Sequence, residues 1–375
     1  MKPRKRTNAY WDKRSQEQLT LVEQQALPLL KEIDRVFRNS QKQTLKDVKN
    51  LYEVYYRKQG FDTTALKAIA PNGDIRRFKE SVKALGLSSR LPAGYGYRLT
   101  RLELIEAQIW LEVAKGAKAQ NAIQGIAHRQ TIDTAYYHSV YNLSKGTGIV
   151  PTFSQLDNRT IKKILDAKFY KKDFSTRIWG NNNKLNRDIK GILSEATTTG
   201  QSNSKTARLL RNRFDVTRYE AQRLVQTETA HFNFASSQEV YDDIGIGRWK
   251  FVATLDSRTG DECGTLDGTI HKIGEGPTIP IHPNCRCVDA PFIDKAYEPD
   301  ERIMRQADVY DQDGNLISRG KNKYIGNISF DEWKKLYPDD YFTPKPAVTN
   351  KKTAATKGKE VYYPGKKGTV TILNI

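Results

Sequence analysis

The chain has 375 residues, which on a prior of about 150 residues per domain corresponds to two or three domains. Lys and Arg number 62 against 43 Asp and Glu, a formal charge of +19, and hydrophobic residues make up 38%. That is below the about 45–50% of a compact globular chain, so an elongated or partly exposed protein is expected. No run of about 18 apolar residues is present, which excludes a membrane-spanning helix, and the basic start Lys2–Arg6 leads into no apolar segment, so no secretory signal is expected.

Residues 1–150 read as a helical region. Leu19, Val22, Ala26, Leu29, Leu30, Ile33 and Phe37 recur at steps of three and four, and Leu45, Val48, Leu51, Tyr52 and Tyr55 carry a second helical run to Gly60. Loops are expected at 71–74 and 92–96, where Pro, Gly and Asn gather. Leu102, Ile105, Ile109, Leu111 and Val113 mark a helix within 99–119, and 122–141 forms another that ends before Gly146. Past a boundary at Pro151, helices are predicted over 161–169 and 185–196, separated by the polar Gly180-Asn181-Asn182-Asn183. The small, polar stretch 197–205 reads as a loop, after which Ser204 caps a helix bearing Leu209, Leu210 and Phe214. Thr217-Arg218-Tyr219-Glu220 has the form of a capping box and is predicted to start a long helix that stops at Gly245.

At Arg248 the periodicity changes. Trp249, Phe251, Ala253 and Leu255 alternate with Arg248, Lys250, Val252 and Thr254, as in a strand with one buried face. From Asp256 to Pro291 Gly and Pro recur so densely that no helix is expected, only short strands and tight turns such as Leu266-Asp267-Gly268. A hairpin turn is predicted at 310–315, a short helix at 330–336 with Trp333, and a flexible basic tail from Pro344. The fold class is α+β: a mainly helical N-terminal two-thirds followed by a small loop-rich β module with a Cys/His cluster. The organisation expected is a helical region over 1–150, a core of helices and β module over 151–295, a short extension over 296–343 and the tail over 344–375.

All three cysteines lie between 263 and 287, too few for a disulfide scaffold. Cys263, His282, Cys285 and Cys287 together offer three soft thiolates and one imidazole, the ligand set of a closed tetrahedral Zn²⁺ site. Two residues apart on an extended segment, Cys285 and Cys287 point to one side, and His282 approaches from a Pro-bounded turn. His271 and Asp256 are substitutes for one ligand. In a segment with little apolar material, a metal supplies cohesion that packing does not. Two other readings stay open: reduced thiols packing as small hydrophobes, or a disulfide from Cys263 to Cys285 or Cys287.

Two further groups are read as structural. Asp256, Arg258, Asp261 and Glu262 form an acid-rich turn, and Arg223, Thr227, Glu228 and His231 lie at helical spacing, where intrahelical pairing accounts for them. No nucleophile elbow, P-loop or dinucleotide fingerprint is present. Basic runs at 2–6, 162–172, 205–218 and 345–367 suit sequence-blind contact with phosphates, and no base-reading signature accompanies them.

From Thr227 to Pro291 the residues fall in a recognisable order: Thr227-Glu228-Thr229, Asn233, Trp249, Asp256-Ser257-Arg258-Thr259, Cys263, Leu266-Asp267-Gly268 and His282 through Cys287. This string resembles the minor head proteins of tailed phages, the Mu F-like or head-morphogenesis family, over roughly 155–340. The resemblance implies a virion protein of the head interior or portal vertex. Its partners would be the portal protein, the major capsid or scaffolding protein, and double-stranded DNA held without sequence preference. Some relatives add a toxin or ADP-ribosyltransferase domain; the tail of about 30 residues is too short for one, so no catalysis is expected. The competing expectation is a zinc-dependent hydrolase or nuclease built on His271, His282 and the acids of 256–262.

Overall fold

The computed structural model describes residues 7–293 except 59, 97, 149–150, 152, 170 and 256–258, and beyond these only 309–310, 316–318, 335, 360–361 and 370–371. The molecule is α+β, helical through its first two-thirds. The two helical runs of residues 8–55 are one helix, α1 (Asn8–Tyr55, 48 residues), about 72 Å long, with Pro28 inside it. Pro28 removes one helical hydrogen bond, but Leu19, Val22, Ala26, Leu29 and Ile33 before and after it share one buried face. That common face holds the axis through the proline.

After the short hairpin of β1 (Tyr56–Arg57) and β2 (Gly60–Phe61) come α2 (Thr63–Lys67) and α3 (Asn72–Ala84). The helices expected within 99–119 and 122–141 are likewise one, α4 (Arg101–Thr147). Thr100 and Glu103 close a capping box at its start, and Gly148, at φ 76°, ends it in the left-handed conformation. α5 (Asn158–Leu165) and α6 (Phe174–Thr199) follow, with Gly180–Asn183 inside α6 instead of separating two helices. Asn182 fits there because its Nδ2 donates to the Ile178 carbonyl (2.9 Å) and to Gln120 Oε1 (3.3 Å). α7 (Asn203–Ile244) starts at the cap Ser202, not at Ser204 or Thr217, and stops at Gly245 as expected. The Thr217 hydroxyl donates to the Arg213 carbonyl one turn earlier, so the apparent capping box is mid-helix.

The four long helices form a bundle whose directions follow from their contacts. Along α1, Gln18 meets Asn233, Asp34 meets Arg218, and Tyr52 meets Thr206, so α1 and α7 are antiparallel along their length. Trp11 lies against Gly146 and Ser40 against Gly116, so α1 is antiparallel to α4 as well. α6 is antiparallel to both, through Asn182–Gln120 and Lys190–Glu106 on one side and Lys184–Glu220 on the other. Where α1, α4 and α7 meet, Gln18 Nε2 lies within 3.0–3.2 Å of Ser139 Oγ, Asn233 Oδ1 and Ser237 Oγ, and Asn142 Nδ2 donates to Gln18 Oε1.

The β module packs on one end of this bundle. Its sheet is antiparallel in the order β4 (Ile270–Lys272), β3 (Arg248–Val252), β5 (Val288–Pro291). The expected alternation holds at Trp249 and Phe251, both fully buried, but the strand ends at Val252, itself buried, and Leu255 is exposed. One correction is needed here: residues 261–266 form a short helix, α8 (Asp261–Leu266), where none was expected. Trp11, Leu19, Ile132, Phe232, Trp249, Cys263 and Cys287 belong to one continuous core, so residues on both sides of 150 share it. Lys250 also reaches from the sheet to Asp12 of α1 at 2.6 Å. Beyond 293, β6 (Val309–Tyr310) pairs with β7 (Leu316–Ser318) around the predicted turn, and β8 (Glu360–Val361) pairs with β9 (Val370–Thr371). The turn residues 311–315, the helix expected at 330–336 apart from Lys335, and the rest of the basic tail lie outside the described residues.

The approach of α1 to α4 is close enough to test. A Cβ at Gly146 would fall within 2.1 Å of the buried Trp11 ring. Gly146→Ala is therefore expected to destabilise the fold by about 1–3 kcal/mol in denaturant unfolding, and Trp11→Leu in the same chain to recover part of that loss. Unchanged stability of Gly146→Ala would mean that the two helices do not touch there.

Candidate metal centre

Cys263 sits in α8, whereas Cys285 and Cys287 sit on the extended segment entering β5. Several local bonds bring these pieces together. Asp267 accepts from the Ala253 amide (2.8 Å), and the Gly268 amide donates to the Phe251 carbonyl, folding the Leu-Asp-Gly turn back on β3. The Thr254 hydroxyl donates to the Arg286 carbonyl (2.8 Å), and the Asn284 amide donates to Thr227 Oγ1 of α7 (3.3 Å). The loop is thus tied both to its own sheet and to the bundle.

The result is a group of three buried free thiols, each 4% exposed or less, whose sulfurs all lie within 4.8 Å of one another. Cys263 Sγ is 3.7 Å from Cys285 Sγ, too far for a disulfide bond. That spacing does suit a metal: Zn–S bonds of about 2.3 Å give a tetrahedron whose sulfurs are about 3.8 Å apart. The hydrogen bond from Cys287 pulls the Cys285 thiol down to about 5, burial pushes Cys263 up to about 11, and the Cys287 thiol is raised by its bond to Cys285 and by burial. A divalent ion bound here would displace thiol protons, so its binding would release acid.

His282 stands beside the thiols without joining their 4.8 Å group. Its Nδ1 lies 3.0 Å from the Pro283 carbonyl, which assigns the ring proton to Nδ1 and leaves the lone pair on Nε2. Nε2 lies near Gly260, the residue that begins α8. His271 is elsewhere, on β4, with Nε2 2.8 Å from Thr269 Oγ1 and its ring against Trp249. Asp256 and Arg258 lie outside the described residues, and Asp261 and Glu262 are exposed. The thiols and His282 line a cavity of about 620 Å³ whose far wall is α1, with Glu23 and Gln24, and whose side is α7, with Thr229. Burial raises the Glu23 carboxyl, with Arg286 opposing. Nothing in the local sequence linked α1 to this loop, because the two are more than 200 residues apart in the chain.

In the second group, on α7, Glu228 and His231 pair with residues outside the helix, while Thr227 and Arg223 make the expected contacts within it. Glu228 meets Arg177 of α6 at 2.9 Å, and burial holds its carboxyl up at about 7 against that arginine. His231 stacks on Phe169 at 4.8 Å, and burial lowers it to about 4. Thr227 donates to the Arg223 carbonyl, and Arg223 lies over the Tyr219 ring. Beside them, His128 of α4 is fully buried between Phe174 and Phe232, and burial lowers it to about 3.

A histidine whose pKa is lower folded than unfolded loses stability as pH falls below its ordinary value near 6.5, because only the unfolded chain takes up the proton. His128→Leu removes this uptake. Relative to the parent, the variant is expected to gain about 2 kcal/mol between pH 7 and pH 5 in denaturant unfolding. A pH-independent difference would show that His128 is not buried neutral.

Comparison with known proteins places this geometry. Residues 187–290 match the family model described as phage Mu protein F like protein. An uncharacterized protein of Haemophilus influenzae is 22% identical over 186 residues, which are 48% of this chain and 37% of that one. The chain therefore spans little more than a third of that relative. No solved structure matches the chain significantly. The matched stretch contains all of α7, the three-stranded sheet up to Ala290 and all three thiols, and over these residues the chain is similar to the phage Mu protein F-like family.

Proposed function

We propose that this chain is a head-morphogenesis protein of a tailed phage, a minor component of procapsid and virion that sits at the portal vertex beside the packaged duplex. The observation that carries the reading is the Mu F-like match, which coincides with the sheet and its thiol cluster. The charge of +19 supports a place next to DNA, since a basic surface is drawn to phosphates irrespective of sequence. Its partners are then the portal protein, the major capsid or scaffolding protein, and double-stranded DNA.

In this reading the thiol cluster is structural. Cys263, Cys285 and Cys287 would hold Zn²⁺, with His282 the donor at hand for the fourth position, and the ion would supply cohesion between α8 and the segment entering β5. The second reading is a zinc-dependent hydrolase or nuclease. It is favoured by one observation, that the thiols line an open cavity with His282 outside their group. Against it stand the exposure of Asp261 and Glu262 and the commitment of His271 to Thr269 and Trp249.

Expression with the portal protein tests the assembly role: the chain is expected to co-purify with portal rings, and portal rings free of it would contradict the reading. Metal analysis separates the two roles of the cluster. One zinc per chain, lost in Cys285→Ser together with thermal stability, and no cleavage of DNA, is the expected result. Zinc-dependent nuclease activity would favour the second reading, and a metal-free chain whose melting is unaffected by Cys285→Ser would remove zinc from both.

A further inference from the structure

One part of the bundle carries a continuous basic stripe. Lys31, Arg35, Arg38, Lys42, Lys46 and Lys49 follow one another along α1 at steps of three and four, and all six are exposed. They form a stripe about 27 Å long, opposite the face that buries Ile33, Ser40, Thr44 and Val48. α7 runs alongside: Gln41 of α1 donates to the Arg211 carbonyl, and Lys205, Arg208 and Arg211 are exposed. The two helices are joined electrostatically at Asp34, whose carboxylate takes Arg38 from α1 at 2.5 Å and Arg218 from α7 at 2.7 Å. Over residues 31–53 and 205–218 eleven cations stand against five acids, a local excess of six in a chain whose total is +19.

We propose that this α1–α7 ridge is the surface that holds the phosphate backbone of duplex DNA. The proposal rests on the reading above and adds the place where contact is made. Two features select a duplex over an acidic protein. Protein interfaces are built around apolar and aromatic anchors and are depleted in lysine. Here, of the exposed large hydrophobic residues among those described, Val216 alone falls within 31–53 or 205–218, and lysine makes up four of the six cations on the α1 stripe. The second is geometry: regularly spaced, flexible cations along one helix face suit a row of phosphates and offer nothing that reads a base.

The test compares two triple variants of the full chain that remove the same charge. Lys31→Gln/Lys42→Gln/Lys46→Gln neutralises the ridge, and Arg76→Gln/Lys83→Gln/Arg98→Gln neutralises exposed cations around α3. All six positions are exposed, and circular dichroism melting confirms that both variants stay folded. Binding to a random-sequence 30-base-pair duplex is measured against salt. The ridge variant is expected to lower the slope of log K on log salt by about 2–3, one contact for each lysine lost, while the α3 variant keeps the parent slope. Equal loss in the two variants, or no loss in the ridge variant, would overturn the placement while leaving DNA contact intact. A parent chain that binds no duplex would remove the DNA part of the functional reading with it. A parent that binds poly-L-glutamate as tightly as the duplex would assign the ridge to an acidic protein instead.

Discussion

The whole arrangement depends on α1 lying antiparallel to both α4 and α7. Its N-terminal half reaches the β module through Trp11, Asp12 and Leu19 and forms the wall opposite the thiols through Glu23 and Gln24, and its second half carries the basic stripe. A helix of about 72 Å is not stable because of propensity; its amphipathic face must be covered over its full length. Two devices fix the register of that cover. Gly146 lets the Trp11 ring touch the backbone of α4, and the buried amide of Gln18 takes its partners from α4 and α7 together. A buried amide left unpaired costs about 1–3 kcal/mol, so sliding any of the three helices is penalised at this point.

The thiol-bearing segment is the least self-sufficient part of the molecule. Its sheet has three short strands, and the loop that carries Cys285 is held by single hydrogen bonds to Thr254 and Thr227. One of those anchors belongs to the sheet and the other to α7. The proposed ion would thus tie α8 to a strand that the bundle already holds. In the proposed reading this gives the sulfurs a cohesive task within the module. The histidines of the neighbouring seam fit the same picture: His128 and His231 are buried between aromatic rings, neutral and closely packed.

Much of this was legible in the sequence where the signal is local. Alternation around Trp249 identified β3, Gly245 ended α7, and the clustering of three cysteines pointed to one site before any contact was known. Local patterns misled where tertiary contacts overrode them. The gap between the run ending at Phe37 and the run starting at Leu45 suggested two helices, but the buried Ser40 and Thr44 carry the inner face across it. Gly180–Asn183 looked like a loop until Asn182 was seen to bond both its own helix and Gln120. The capping-box pattern at Thr217 is satisfied inside the helix by the preceding turn. The contribution of α1 to the cavity and the pairing of Glu228 with Arg177 involve residues far apart in the chain, so no periodicity could reveal them.

The central claim is that bundle and β module form one cooperative body, joined through α1. Native-state hydrogen exchange on the full chain measures this directly. The account predicts that the amides of β3 and β5 open only with those in the middle of α1 and α7, at one common free energy. Exchange of the strands at a clearly lower free energy, with the helices still protected, would contradict it and make the module a separate unit resting on the bundle.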